Sequence, residues 1–228
     1  MPPTLAQKID QVLSRIQAAA KRSKRDPETV QLIAVTKGVP TETIKEALAC
    51  GLTHFGENRV AEAAEKIPLL PKATWHLIGH LQSRKVKAAL PLFSWIHSVD
   101  SLSLVQALDE QARQLEQTTQ VLFEVNVSGE KSKYGFDEKQ LWEVLPALEN
   151  YPRVRVHGLM TLPPLSADPE TSRPYFRRLR EIAAKIQGKK WPFVEMQVLS
   201  MGMSQDFEVA VEEGAHWVRV GRALFGSL

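Results

Sequence analysis

A closed (β/α)₈ barrel of TIM type with an extra N-terminal helix is the fold that the sequence predicts, on three observations. About eight short β-rich runs alternate with longer helical stretches. Most of those runs are apolar, as expected of parallel strands covered on both faces. The 228 residues also match the roughly 200 to 250 over which such barrels close as one domain. A doubly wound open sheet is the alternative, but it more commonly has fewer strands.

Residues 4–24 place Leu5, Ile9, Val12, Leu13, Ile16 and Ala20 at helical spacing, an amphipathic helix ahead of the barrel. The first strand, VQLIAVTK, precedes a helix over about 40–50; THFGE precedes one from Arg59 to Leu70, and TWHLIGH one over about 82–90. SWIHSVD leads to a helix from Ser101 to Glu116, QVLFEVNVS to one near 137–149, and VRVHGLM to one near 170–187. FVEMQVLS runs into a short helix near 204–213, and HWVRVG into the stub RALFGSL. Prolines exclude regular structure from TLPPLSADPETSRP, which the alternation puts at the C-terminal face of the barrel as a functional loop. With no linker or low-complexity tract, residues 1–228 read as a single domain.

The formal charge of +3 comes from basic residues interleaved with acids, which argues against nucleic acid. The densest basic cluster, Lys21, Arg22, Lys24 and Arg25, reads as a solvated helix end favoured by the helix dipole. One cysteine, Cys50, precludes an internal disulfide and fits a reducing compartment. Neither a leader nor a membrane-length apolar run is evident, so a cytoplasmic protein is expected.

In such a barrel, chemistry gathers where strands end. Lys37 stands there on the first strand: a rim residue with its ammonium in water, or a Schiff-base nucleophile if a carbonyl compound is held against it. The far end of the chain supplies a holder. Ser200, Gly202 and Ser204 follow the seventh strand and Gly221 follows the eighth, small residues whose backbone N–H groups and hydroxyls suit an oxyanion. Taken singly, both glycines could equally serve turns and caps. Closure brings strand eight beside strand one, and hence these loops beside Lys37. Arg219 faces away from Val218 and Val220, into the barrel mouth, and needs an acceptor there: a phosphate, a carboxylate, a ring nitrogen or a neighbouring acid. No nucleotide motif occurs, and His54, His97, His157 and His216 read as core or rim residues rather than metal ligands.

With those residues in place, the sequence resembles the pyridoxal phosphate homeostasis proteins of the PROSC/YggS type. The matching stretches are AVTKGVP, FGENRVAEA, WHLIGHLQSRK, HSVDS, VNVSGEKSKYGF, HGLMTLPP and LSMGMSQDFEVAVEEGAHWVRVGRALFG, in order over nearly the whole chain. The resemblance implies a barrel similar to the N-terminal domain of alanine racemase, with pyridoxal 5′-phosphate (PLP) as a covalent aldimine on Lys37. It puts Ser200, Gly221 and Arg222 around the phosphate, with Gly202 and Ser204 in the same motif. Arg219 corresponds to an arginine facing the pyridine nitrogen, and Asn58, His80 and Met160 lie near the cofactor.

A guanidinium leaves that nitrogen unprotonated and makes the ring a poorer electron sink. Racemases of this type also use a tyrosine from a second domain, which a chain ending at Leu228 is expected to lack; none of Tyr134, Tyr151 and Tyr175 is a recognisable equivalent. The resemblance therefore implies a non-enzymatic, monomeric protein that serves vitamin B6 and amino-acid balance by holding PLP and delivering it to apo PLP enzymes. An amino-acid racemase is the alternative, and a Schiff-base aldolase a further one.

Overall fold

Thr4 starts the first helix: its hydroxyl accepts the Gln7 N–H while the Gln7 side chain accepts the Thr4 N–H, a reciprocal cap. The computed structural model describes residues 2–130 and 132–226. That helix, α1 (Leu5–Arg22), is followed by β1 (Gln31–Val35), α2 (Thr41–Ala49), β2 (His54–Glu57), α3 (Val60–Lys66) and β3 (Thr74–Leu77). Then come α4 (Val86–Ala89), β4 (Trp95–Val99), α5 (Leu102–Gln114), β5 (Thr119–Glu124) and α6 (Glu138–Ala147). The chain ends through β6 (Val154–Met160), α7 (Arg173–Gln187), β7 (Val194–Ser200), α8 (Phe207–Glu212), β8 (Trp217–Val220) and α9 (Arg222–Phe225).

All eight strands pair in parallel with their sequence neighbours, and β8 closes onto β1 from Gln31 opposite Trp217 to Ala34 opposite Val220. The expected (β/α)₈ barrel is therefore observed. Most apolar burial lies between strands and helices, where Ile44, Leu104, Leu108, Phe176 and Leu179 back the sheet. Inward positions of β2, β3, β4, β7 and β8 carry polar groups instead, among them His76, His97, Ser200 and Arg219, all buried.

Several boundaries differ from expectation for local reasons. The third strand ends at Leu77, and the helix expected over 82–90 splits into a 3₁₀ turn, Ser83–Lys85, and the short α4. The fifth strand stops at Glu124, because Asn126 turns its side chain onto the Gly129 N–H (3.0 Å) and the Ser128 hydroxyl (3.1 Å). The loop after β6 closes with a 3₁₀ turn, Pro169–Ser172, capped by Asp168, so α7 starts later than expected. The Lys21 to Arg25 cluster is not merely a solvated end. Arg22 pairs with Glu208 and Glu212, and Arg25 donates to the carbonyls of Val211 (2.7 Å) and Ala215 (2.8 Å), tying α1 to α8. Among the described residues, no helix is long and apolar enough to cross a membrane.

Candidate functional site

β1 delivers the chain to the C-terminal mouth at Val35, after which Thr36 is buried and Lys37 is exposed on a turn with Gly38. Gly38 has φ 72°, a region that favours glycine. The backbone on both sides of Lys37 is held. Thr36 Oγ1 donates to Glu57 Oε1 (2.6 Å), Lys66 Nζ donates to the Thr36 carbonyl (2.7 Å), and the Gly38 N–H donates to Glu62 Oε1 (2.6 Å). Lys66 also reaches Glu57 Oε1 (2.8 Å) and Glu62 Oε1 (2.6 Å), so one buried ammonium joins the ends of β1, β2 and α3. Burial raises the Glu57 carboxyl, against hydrogen bonds from Lys66 and Thr36 that lower it.

On the other side of the mouth, the inward-facing Arg219 is buried. Its Nη1 donates to Ser200 Oγ (2.6 Å) and its Nη2 to the Thr161 carbonyl (2.9 Å). Burial lowers the guanidinium to about 10, an effect opposed by Glu124 and Asp206, so it stays charged at neutral pH. Beyond β8, the N–H groups of Gly221 and Ala223 converge on Ser204 Oγ at 3.3 Å each. Gly202, with φ 91°, brings its chain so close to α8 that a Cβ would sit 2.5 Å from Ala210 Cβ.

These segments frame a cavity of about 390 Å³ at the C-terminal end of the barrel. Of the residues singled out from sequence, Asn58, His80, Ser204, Arg219, Gly221 and Arg222 line it. Lys37 lies two residues past the lining residue Val35, on the exposed turn. Ser200 is buried behind Arg219 as its hydrogen-bond acceptor. Gly202 shapes the turn onto α8. Met160 is buried in register between Glu124 and Ser200, off the cavity wall.

Two lining residues were not anticipated. Glu124 lines the cavity, with a carboxyl raised to about 7 by burial and then by the charge of Asp100, against Arg219. Tyr134, also a lining residue, stacks on His80 with ring centroids 3.8 Å apart, and Asp100 lies 3.0 Å from His80 Nδ1. An acid ending the apolar run VLFEV is the same signal that Lys37 gives in LIAVTK, and could have marked Glu124.

The fold and its cavity at the strand ends define an alanine racemase N-terminal domain class of barrel; the family model described as "Alanine racemase, N-terminal domain" matches residues 8–228. A pyridoxal phosphate homeostasis protein of Aquifex aeolicus (strain VF5) is 43% identical over 96% of each chain. The chain belongs to the pyridoxal phosphate homeostasis protein family. PipY of Synechococcus elongatus PCC7942, solved with PLP bound, is 40% identical and superposes with a TM-score of 0.84 over 98% of this chain and 100% of that one. Alanine racemase of Clostridium difficile 630 shares the fold at a TM-score of 0.74 with 15% identity, over 95% of this chain and 56% of that one. At that identity the likeness concerns the fold, and no racemase activity follows from it.

Proposed function

We propose that this protein binds PLP in the cavity at the barrel mouth, with the aldehyde attached covalently to Lys37, and that it holds and hands on the cofactor without turning over a substrate. The carrying observation is the arrangement of three unlike groups around one cavity. A charged arginine is buried in its wall, two backbone N–H groups converge beside it on an exchangeable hydroxyl, and an exposed lysine stands on a braced turn.

That set fits a phosphorylated pyridine aldehyde. Gly221, Ala223, Ser204 and Arg222 offer N–H, hydroxyl and cationic partners for a phosphate. Arg219 keeps its protons and presents a donor to a ring nitrogen. PLP would supply an electrophilic carbonyl, and the Lys37 amine would be the nucleophile that holds it. The PLP-bound state of the 40%-identical PipY supports the same occupant here. Lys37 is exposed, so its bond to the cofactor is open to displacement by another amine, and apo PLP enzymes are the inferred recipients. A role in vitamin B6 balance agrees with the name of the 43%-identical relative.

Borohydride reduction of the loaded protein, followed by peptide mass mapping, tests the attachment. The expected adduct is on Lys37, and an adduct elsewhere overturns the site. Incubating the loaded protein with an apo PLP enzyme tests delivery, which fails if no cofactor moves. One observation favours turnover instead: Tyr134 lines the cavity and could move a proton. Interconversion of D- and L-amino acids at a rate abolished by Lys37→Ala would establish that second reading.

A further inference from the structure

A continuous hydrogen-bonded column runs through the barrel interior and ends on Arg219. His54 Nδ1 lies 2.9 Å from His76 Nε2, His76 Nδ1 lies 2.9 Å from His97 Nε2, and His97 Nδ1 lies 3.0 Å from Ser200 Oγ. Ser200 Oγ in turn accepts from Arg219 Nη1 at 2.6 Å. The register explains the path. His54 pairs with Thr74, two residues before His76, and His76 pairs with Trp95, two residues before His97. Each histidine is thus one pleat further along than the one before, and the column climbs from the partly exposed start of β2 toward the cavity. Trp217 packs on it, stacked with His97 at 5.1 Å and edge-on to His76 at 5.1 Å. Nothing in the proposed cofactor chemistry uses these histidines.

The proton inventory gives the column a direction. A serine hydroxyl has one hydrogen and two lone pairs, and Arg219 already donates to one of those lone pairs. Among the described residues, His97 Nδ1 is the remaining side-chain partner of that hydroxyl. Ser200 must donate to it, or a buried O–H goes without an acceptor. His97 then carries its proton on Nε2 and donates to His76 Nδ1; His76 likewise donates from Nε2 to His54 Nδ1. The opposite polarity would send the His97 proton to Ser200 and strand the hydroxyl hydrogen. Burial lowers His54, lowers His76 to about 3 and lowers His97 well below its ordinary value, so neutral imidazoles are the species present near neutrality.

We propose that His97, backed by His76 and His54, is a positioning residue for Arg219: by accepting the Ser200 hydrogen, the column leaves a Ser200 lone pair facing Arg219 and so aims the guanidinium at the ligand cavity. The consequence for the cofactor rests on the reading of that cavity as the PLP site; the proton order itself does not.

The test has two arms that fail separately. Long-range ¹H–¹⁵N correlation spectra of the labelled apo protein should show His54, His76 and His97 protonated on Nε2 alone at neutral pH. An Nδ1-protonated His76 or His97 overturns the proposal. In the second arm, His97→Phe removes the acceptor of the Ser200 hydrogen. The expected results are a shifted visible band of bound PLP, a PLP affinity about tenfold weaker and faster averaging of the Arg219 guanidinium resonances. An unmoved band together with an unmoved guanidinium spectrum overturns positioning, because loss of stability alone alters neither. Should His97→Phe not fold, His54→Ala at the partly exposed end is used. Water can accept the His76 Nε2 proton at that partly exposed end, so the proton order set from Ser200 should persist; an Nδ1-protonated His76 or His97 in this variant overturns the proposal. Absence of a visible band from the unmodified protein would sink the PLP reading and leave the tautomer result standing.

Discussion

Lys66 Nζ donates to the carbonyl of Thr36 at 2.7 Å, so a lysine on α3 fixes the peptide that carries Lys37. The same ammonium neutralises Glu57, which is fully buried. Lys66→Met would leave that carboxylate without its partner, a change that costs about 3 to 5 kcal/mol in buried pairs. Urea denaturation should show a loss of that order, with part of it recovered in the Lys66→Met, Glu57→Gln double variant.

Gly202→Ala combines two penalties. Its φ of 91° disfavours a side chain, and the added Cβ would lie 2.5 Å from Ala210 Cβ and 2.9 Å from Phe207 Cα. Overpacking of this kind costs about 1 to 3 kcal/mol. The expected result is a lower melting temperature and, because α8 must shift under the Ser204 loop, weaker PLP binding by equilibrium dialysis.

Ser204→Ala removes the oxygen on which the Gly221 and Ala223 N–H groups converge. Since the site is partly exposed, water can replace that oxygen in the apo protein and stability should move by less than about 1 kcal/mol. If phosphate takes a hydrogen bond from the hydroxyl, affinity for PLP should fall about tenfold, equivalent to about 1.4 kcal/mol. Unchanged affinity would show that the hydroxyl does not contact the ligand.

The pH dependence of the apo protein should report Glu124. Its carboxyl is raised from 4.5 to about 7, so between those values the folded chain keeps a proton that the unfolded chain has released. This contribution is complete below the unfolded value and is lost as pH rises through about 7. Glu124→Gln should flatten the fall in stability over that window, by about 1 to 3 kcal/mol in total. A slope identical to that of the unmodified protein would refute the assignment.

Much of the site could be read from sequence because the relevant residues interrupt simple patterns. Lys37 ends an apolar run, Arg219 breaks the apolar composition of HWVRVG, and Gly221 follows that strand directly. Counting strands sufficed to bring them to one mouth, since closure pairs β8 with β1. The partner of Ser200 within the barrel is something strand counting cannot supply. An inward residue at a strand end meets either the cavity or a neighbouring side chain, and the long Arg219 side chain reaches it first. The histidine column was invisible because it depends on the stagger between adjacent strands, which puts His54, His76 and His97 in line across three of them. Read one at a time, His54 and His97 were core or rim histidines.

The closure between β1 and β8 also bears on how the molecule is made. Gln31 finds its partner only when Trp217 has been synthesised, and Arg15 meets Glu208 across 193 positions of sequence. Until then the free side of β1 and the part of α1 that packs on α8 and α9 have nothing to cover them. Contacts of such long range make for slow folding and for intermediates with exposed apolar surface. Closure therefore waits for β8, the strand that completes the hydrogen bonding of β1.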